Sequence, residues 1–364
     1  MKNFLTIIDR YIIKKFLSTF FFAVLIFTMV AMVIDFSERI DDFLEEKVPI
    51  NEIIFDYYLN FIPQINAMLW PLFTLLSVIF FTSRLASNSE ILSILNSGAS
   101  FKRIMRPYLI ASSLLAVIHL VSNHFFIPNA NKTKVAFENK YVTKVDLESK
   151  NDHIHLFLDE FSKVYVKYNS KADSVAHGFG LEQFDSSGQL ISETVADLAR
   201  WRPETKSWQM ENVRIRYFDG LNERLEKYAR LDTVINLHPK DFVRRDNYKT
   251  TMTTPNLLEF IRKEEAKGVR AFTSFKVEVY RRSSDPFTII ILTCIGMAVA
   301  SRKIRGGVGL NLAKGAVIGA FFIVLTRFSA TLSTNSGLHP FFGAWLPNIV
   351  FIGVVIYLIR NAQQ

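Results

Sequence analysis

The sequence predicts an α-helical integral membrane protein with six transmembrane helices and an inserted β domain. Of its 364 residues, 49% are hydrophobic and 33 are Phe, a composition typical of membrane proteins. Apolar runs long enough to cross a bilayer lie in both end regions of the chain. The region between them is polar and rich in turn residues, and it alternates apolar with polar positions as β-strands do.

Three spans are predicted in the first part of the chain. Span one covers Phe16 to Ile34, and its roughly 19 residues suffice for a hydrocarbon core about 30 Å thick. Span two covers Tyr57 to Ser83 and contains Pro63 and Pro71, which predict kinks because proline removes a helical hydrogen bond. Span three runs from about Pro107 to Ile127.

Basic residues predict the orientation of these spans. The segment from Asp35 to Glu52 is rich in acids and has only Arg39 and Lys47 as cations, so the positive-inside rule places it outside the cytoplasm. The stretch between spans two and three is basic, with Arg84, Lys102, Arg103 and Arg106. This stretch is therefore predicted to be cytoplasmic.

The region from about Pro128 to Ser274 is predicted to be a β-sandwich or jelly roll. Five segments have the period-two pattern of strands: 153–158, 163–168, 190–201, 207–218 and 224–237. Turn residues separate the strands, including Asp185-Ser-Ser-Gly188 and Asp219-Gly220. A short helix from Asn256 to Lys267, preceded by Thr254-Pro255, is expected to lead back to the membrane.

The last part of the chain predicts three more spans, at about 284–300, 308–331 and 341–359. The turn after span four, from Ser301 to Gly307, is basic, and Arg360 follows span six. Both termini are therefore predicted to be cytoplasmic, with the β region outside. Arg281-Arg282 at the outer end of span four conflicts with the positive-inside rule, which long translocated domains can escape.

The polar stretch from Arg84 to Gly98 predicts a short helix at the cytoplasmic surface. Ser87 and Glu90 have the spacing of a capping box, and Gly98 is a helix stop. The helix is expected to have about ten residues, and its apolar residues are Ile91, Leu92, Ile94 and Leu95. A helix this short needs a packing partner. Two interpretations are open: a structured loop at the membrane surface, or a coupling helix in a groove of a cytoplasmic motor subunit.

The sequence lacks the motifs of several enzyme classes. The glycines and the lysine between Arg305 and Lys314 do not have the order of an ATPase phosphate-binding loop. Neither a G-x-S-x-G elbow nor an H-E-x-x-H zinc motif occurs. His153 and His155 share a face of a predicted strand, but no further ligand lies nearby in sequence. No catalytic residue, metal site or cofactor is therefore predicted.

The charge of the chain indicates topology and not nucleic-acid binding. The formal net charge is +9, but the Lys and Arg residues are spread along the chain and many flank apolar spans. The single cysteine, Cys294, lies inside an apolar run and excludes an internal disulfide.

Charged residues at the ends of the spans are candidate lipid-cavity residues. Asp35, Phe36 and Arg39 lie where span one is expected to leave the membrane, and Arg327 lies within span five. An intramembrane arginine usually faces a cavity or a partner. One interpretation is a rim that holds the anionic head group of a lipid. The alternative is interfacial snorkelling, in which a long side chain reaches water from an apolar surface.

Several stretches resemble a known protein family. They are Asp9-Arg10-Tyr11 before span one, the segment from Arg84 to Gly98 with its S-E-[IL]-x-x-x-x-x-S-G core, and the segment from Ala199 to Val213. Together with the order of three spans, external β domain and three spans, they resemble the LptF/LptG permeases of lipopolysaccharide export. The Asp-Arg-Tyr start is more similar to the LptG branch.

The resemblance implies a transport subunit without catalytic activity of its own. This chain and a paralogous six-span permease subunit would form a cavity, joined by a cytoplasmic ABC ATPase dimer and a single-span periplasmic jellyroll protein. The complex would extract lipopolysaccharide from the cell inner membrane and pass it to a periplasmic bridge. Residues 1–127 would hold transmembrane helices 1–3, with a coupling helix near 87–98. Residues 128–275 would hold the periplasmic β-jellyroll domain with its connecting helix, and residues 276–364 transmembrane helices 4–6.

The resemblance also assigns residue roles. Glu90 matches the family's acidic coupling-helix residue, and Ile91, Leu92, Leu95 and Gly98 complete the expected ATPase-coupling segment. The chain departs from the family at the outer end of span one, where lysines are common and this sequence is acidic. A rival function from another class is a membrane receptor or scaffold with an extracytoplasmic β sensor domain.

Overall fold

The structure is a computed structural model that describes residues 5–142, 152–159, 161–170, 175–220, 222–235, 237, 239, 248–265, 273–304 and 306–362. The helices are α1 (Ile7–Glu45), α2 (Ile50–Glu52), α3 (Leu59–Ser87), α4 (Glu90–Asn96), α5 (Phe101–Val121), α6 (Ile127–Tyr141), α7 (Tyr248–Thr251), α8 (Thr254–Glu265), α9 (Thr273–Ala300), α10 (Gly307–Asn335) and α11 (Pro340–Ala362). Two π-helical turns, Ile53–Tyr58 and Ser122–Phe126, join α2 to α3 and α5 to α6.

Six helical segments in the described part of the chain are long and apolar enough to cross a membrane. They are α1, Ile50–Ser87, Phe101–Tyr141, α9, α10 and α11. The six spans predicted from the sequence are therefore confirmed. The helices are longer than the apolar runs, because polar residues on either side continue the same helix; Asp9 and Asp35, for example, are both part of α1.

The chain divides into two compact units. The helical unit consists of Met1–Glu138, Lys249–Leu257 and Thr273–Gln364, and the β unit consists of Asn139–Tyr248 and Leu258–Phe272. The helical unit extends to Glu138, past the boundary expected at residue 127. The reason is that the third span continues from α5 into α6 through a π-helical turn, without a break.

Helices α3 and α9 form the centre of the helical unit. In the 18-residue stretch of each helix that is most apolar, 67% of the residues are buried in α9 and 6% are buried in α1. Leu75 and Ile79 of α3 pack with Leu292 and Ile295 of α9 and with Phe351 of α11. The most apolar stretch of α9 is nevertheless less apolar than that of any other span, so its burial reflects its packing between neighbouring helices and not its hydropathy.

The β unit contains strands β1 (Asp152–Phe157), β2 (Ser162–Ser170), β3 (Val175–Phe184), β4 (Leu190–Arg202), β5 (Ser207–Asp219) and β6 (Asn222–Thr233). They form one antiparallel sheet in which each strand pairs with its neighbours in sequence. The predicted inserted β domain is thus confirmed, and its described strands form a meander within a single sheet. Trp208 is fully buried in the β unit and donates its indole N–H to the Leu237 carbonyl at 2.8 Å.

Strand β3 is absent from the sequence prediction because glycines interrupt its pattern. Gly178 has a φ of +61°, and a Cβ atom there would come within 2.8 Å of the Lys167 Cβ on β2. Its neighbour Phe179 is buried and pairs with Val166 of β2. Glycine therefore permits a close approach of two strands here and does not end the strand.

Asp185 holds the turn between β3 and β4, as the sequence predicts. One of its carboxylate oxygens accepts hydrogen bonds from the Ser187 hydroxyl at 2.6 Å, the Ser187 N–H at 2.8 Å and the Gln189 N–H at 2.9 Å. These bonds, the Ser187 hydroxyl first among them, stabilise the carboxylate and hold the pKa of Asp185 below its ordinary value.

Two sequence predictions extend beyond the described residues. The helix predicted from Asn256 to Lys267 is α8, which begins at Thr254, but its predicted end at Lys267 lies outside the described part of the chain. His153 and His155 are part of β1, but their side chains also lie outside what the structure describes.

Candidate functional site

Helix α4 begins at Glu90, almost directly after α3 ends at Ser87. The capping box predicted for Ser87 and Glu90 is wrong. Ser87 is the last residue of α3, and Ser89 precedes α4 with a φ of 61° and no capping hydrogen bond from its side chain. Glu90 is therefore the first residue of α4 and not the third.

The C-terminal end of α4 agrees with the prediction. Gly98 has a φ of +88°, in the left-handed region that favours glycine, and its N–H donates to the Leu95 carbonyl at 3.0 Å. This is the usual way in which a glycine ends a helix. Helix α4 therefore has seven residues, fewer than expected, because its start lies later than Ser87.

The apolar residues of α4 divide between two faces. Ile91 is 3% exposed and packs in a cluster with Leu85 and Ile104, and the partly buried Ile94 and Leu95 lie against the same cluster. Leu92 faces away and is 56% exposed. Such a helix is fixed to the helical unit on one side and presents a leucine to its surroundings on the other.

Glu90 makes hydrogen bonds with two side chains. One carboxylate oxygen accepts from the Tyr11 hydroxyl of α1 at 3.1 Å, and the other accepts from the Asn88 amide at 3.3 Å. Tyr11 and Glu90 are far apart in the sequence, so this contact was not predictable from local patterns. It links the start of α1 directly to the start of α4.

Asp9 and Arg103 form a second link at the same end of the helical unit. Both Asp9 oxygens accept from the Arg103 guanidinium, at 2.7 and 2.8 Å, and the Asp9 side chain is only 1% exposed. Thr6 completes the arrangement. Its backbone N–H donates to Asp9 at 2.9 Å, and its hydroxyl accepts from the Asp9 N–H at 3.3 Å. This is a capping box at the start of α1.

Sequence reasoning missed the contacts that Asp9 and Arg103 make. Arg103 was interpreted only as a topology signal, and Asp9 only as part of a family motif. A usable signal was present, because Thr6-x-x-Asp9 has the spacing of a capping box. The ion pair itself has no such signal, since its partners belong to different helices.

The far end of α1 carries three of the four predicted lipid-cavity residues. Arg39 donates to Asp35 at 3.2 Å and to Glu138 of α6 at 3.2 Å, and Asp35 also accepts from the Tyr57 hydroxyl at 3.0 Å. Phe36 is 44% exposed. Asp35 and Arg39 are thus brought together, and two carboxylates offset the charge of Arg39.

Arg327 lies on α10, between the exposed residues Val324 and Phe328. Its side chain is exposed, and it forms no ion pair or side-chain hydrogen bond with the residues that the structure describes. The helical unit does not bring it into contact with Asp35 or Arg39 through any described bond. Arg327 is therefore a cation on an apolar outer surface.

Arg282 is buried in the protein, and its neighbour Arg281 is partly exposed. Glu278 accepts from Arg281 at 2.8 Å and from Arg282 at 3.3 Å. The Arg282 guanidinium also donates to the carbonyls of Lys249 and Met252, at 3.0 and 2.9 Å. Their spacing from Glu278, three and four positions, is the usual spacing of helical ion pairs. The two arginines that conflict with the positive-inside rule thus form ion pairs and hydrogen bonds within the protein.

Similarity to known proteins extends over nearly the whole chain. The sequence profile of a family described as lipopolysaccharide export system permease LptF/LptG matches residues 10–361. The chain belongs to the LptF/LptG family. The resemblance predicted from the sequence is therefore confirmed.

Individual members of the LptF/LptG family are distant from this chain. The lipopolysaccharide export system permease protein LptG of Haemophilus influenzae is 20% identical to it, over 98% of this chain and 99% of the relative. The LptG protein of Escherichia coli strain K12 is 18% identical, over 84% of each chain. Both relatives carry the LptG name, in agreement with the LptG-like start of the sequence.

Proposed function

We propose that the chain is a permease subunit that exports lipopolysaccharide, driven by a separate ATPase. The observation that carries the proposal is the family match over residues 10–361, on a chain with six apolar helical segments. The names of the two relatives supply the substrate. The subunit would extract lipopolysaccharide from the inner membrane and pass it to a periplasmic bridge.

The physical need for a motor follows from the substrate. Exposing one buried CH₂ group to water costs roughly 0.8 kcal/mol, so a lipid with several long acyl chains costs tens of kcal/mol to remove bare from a bilayer. Extraction therefore requires an energy source and a shielded path. The proposed partners supply them: an ABC ATPase dimer, a paralogous six-span permease and a single-span periplasmic jellyroll protein.

Helix α4 is the proposed contact with the ATPase. Ile91 and Leu95 fix it to the helical unit, Gly98 ends it, and Leu92 is left exposed. An exposed leucine on a short, well-anchored helix suits a groove on another protein. Glu90 stands at the start of this surface, where it would pair with a basic residue of the ATPase.

The proposed lipid-contacting residues lie on α1 and α10. Phe36 is exposed and suits acyl chains, whereas Arg327 is an exposed cation in apolar surroundings and suits a phosphate of the head group. The charge of Arg39 is offset by Asp35 and Glu138. Arg39 would therefore contribute less to phosphate binding than Arg327.

The proposed location is the inner membrane, with both termini cytoplasmic and the β unit in the periplasm. This orientation follows from the basic residues around α4 and after α9, and from the acidic segment after span one.

A pull-down from the native membrane in mild detergent tests the function. We expect an ABC-type ATPase and a second six-span subunit to co-purify with the wild-type chain. Glu90→Lys should reduce the amount of co-purified ATPase at least about tenfold, because it places a cation against the basic partner of Glu90.

The matched control is Glu45→Lys, which makes the same charge reversal at an exposed residue, the last residue of α1. It should leave the ATPase bound. Normal ATPase binding by Glu90→Lys would reject α4 as the docking helix. Absence of both partners from the wild-type preparation would overturn the permease proposal and favour a receptor.

A further inference from the structure

We infer that Asp9, Tyr11 and Arg103 are positioning residues that fix α1 to α4 and α5, so that α1 moves when the ATPase moves α4. The inference rests on the proposed function of α4 as the docking helix. It adds a path from that helix to the lipid-contacting end of α1.

Most residues of α1 are not buried. Its buried residues are Asp9, Ile12, Phe16 and Phe20 near the start and Phe43 near the end. From Phe21 to Asp42 no residue of α1 is buried in the described structure. Further contacts hold α1 at Thr28, whose hydroxyl donates to Asn66 at 2.8 Å, and at the far end, where Asp35 bonds to Tyr57 and Arg39 to Glu138. The start of the helix is therefore one of several points at which α1 is anchored.

Asp9 and Arg103 form a bidentate pair. Two nearly parallel hydrogen bonds, at 2.7 and 2.8 Å, join the carboxylate to the guanidinium. Bidentate pairs of this kind fix orientation as well as distance. Thr6 also restrains Asp9 through the capping box, and the Thr6 hydroxyl accepts from the Arg103 guanidinium at 3.1 Å, so the three side chains form one network.

Tyr11 attaches α1 at a different side. Asp9 and Tyr11 are two positions apart, so their side chains leave the helix about 200° apart. Asp9 bonds to Arg103 of α5, and Tyr11 bonds to Glu90 of α4. Attachments on nearly opposite sides prevent α1 from rotating about its axis unless one of them breaks.

The consequence concerns the opposite end of α1. Asp35 and Phe36 belong to the same continuous helix as Asp9, about 40 Å away at 1.5 Å per residue. A helix transmits rotation and translation along its axis as one body. A displacement of α4 by the ATPase would therefore shift Phe36 and Asp35 at the proposed lipid site.

The test uses the full complex, reconstituted in proteoliposomes that contain lipopolysaccharide. Asp9→Asn keeps an acceptor for the Thr6 N–H and removes the charge, and Tyr11→Phe removes only the hydroxyl that bonds to Glu90. The number of lipopolysaccharide molecules released per ATP hydrolysed should fall about fivefold in Tyr11→Phe and about tenfold in Asp9→Asn. The amount of bound ATPase should stay unchanged.

Two control variants should behave like the wild type within about twofold. Asp9→Glu keeps both the charge and the acceptor that a capping box needs. Tyr357→Phe removes the hydroxyl of an exposed tyrosine on α11. Wild-type release per ATP in both Asp9→Asn and Tyr11→Phe would overturn the inference. Loss of ATPase binding in these variants would also overturn it, because the residues would then act in docking.

A second measurement follows the motion of α1 itself. A fluorophore is attached at Phe36→Cys in a chain whose single cysteine is replaced, Cys294→Ser. Addition of ATP should shift the fluorescence emission of this chain. The emission should not shift when the chain also carries Tyr11→Phe. A full shift in the Tyr11→Phe chain would overturn the inference. Absence of ATPase from the wild-type complex would instead reject the proposed function.

Discussion

Arg282 is a buried cation whose acceptors are all fixed parts of the protein. Its guanidinium bonds to Glu278, to the Thr254 hydroxyl at 3.0 Å and to the carbonyls of Lys249 and Met252. The carbonyls belong to the segment that leads the chain into α8. Arg282 therefore ties α9 to this segment and satisfies backbone groups that would otherwise lack a donor.

Replacement of Arg282 tests this structural function. Arg282→Met should lower the free energy of unfolding by about 3 kcal/mol, because it leaves buried acceptors without a donor. Arg281→Met is the matched control. Its side chain is 40% exposed, and among the residues that the structure describes it bonds only to Glu278, so the cost should be about 1 kcal/mol or less. Unfolding by SDS in mixed micelles measures both, and equal costs would contradict the assignment.

At the scale of elements, α10 and α11 form a helical hairpin that depends on close contact. The Ser333 hydroxyl donates to the Leu338 carbonyl at 2.9 Å, and the Ser329 hydroxyl donates to the Phe342 carbonyl at 2.9 Å. A Cβ atom at Gly343 would lie 2.5 Å from the Ser333 Cβ. Small residues that let backbones approach are the usual packing device between helices in membranes.

Two alanine substitutions on α11 test the hairpin. Gly343→Ala should lower the free energy of unfolding by about 1–3 kcal/mol, because the added methyl group forces α10 and α11 apart. Gly353→Ala on the same helix meets no atom within 4 Å and should be neutral or slightly stabilising, since alanine favours the helix. Thermal unfolding in detergent compares the two, and similar midpoints would refute the close-contact argument.

Helix and strand prediction succeeded where the pattern was long and failed where it was interrupted. Each predicted span lies within an observed helix, because a run of about 20 apolar residues has few alternatives. Strand β3 contains Gly178 and Gly180, which hid its alternation. The start of α4 was misplaced because Ser87 continues α3, and a capping motif does not say whether the preceding helix has ended.

At the scale of the whole molecule, the proposed orientation places the β unit and the basic turn after α9 on opposite sides of the membrane, and labelling can distinguish the two sides. Glu204 lies in the turn between β4 and β5, and Lys303 lies between α9 and α10; both are exposed. The only native cysteine, Cys294, is buried and gives little background. The two positions thus report on the β unit and on the basic turn.

Cysteine labelling tests the orientation. In spheroplasts, a membrane-impermeant maleimide should label Glu204→Cys and should label Lys303→Cys only after the membrane is broken. The β unit is proposed to face the periplasm and the basic turn the cytoplasm, as the positive-inside rule requires. Labelling of Lys303→Cys in intact spheroplasts would reverse the topology.

The sequence alone determined the class of the protein and the order of its parts. Hydropathy and period are local properties, so six spans, the inserted β domain and the Gly98 helix stop could be predicted from neighbouring residues. The family followed from motifs that are themselves short and continuous.

Only the tertiary structure decided which residues meet. The Asp9–Arg103 pair, the Tyr11–Glu90 hydrogen bond and the links from Arg282 to the segment before α8 join residues far apart in the chain. No local pattern encodes such contacts, because they depend on which helices lie side by side. For the same reason the sequence offered Arg39 as a candidate lipid-cavity residue without showing its partner Glu138, with which the fold pairs it.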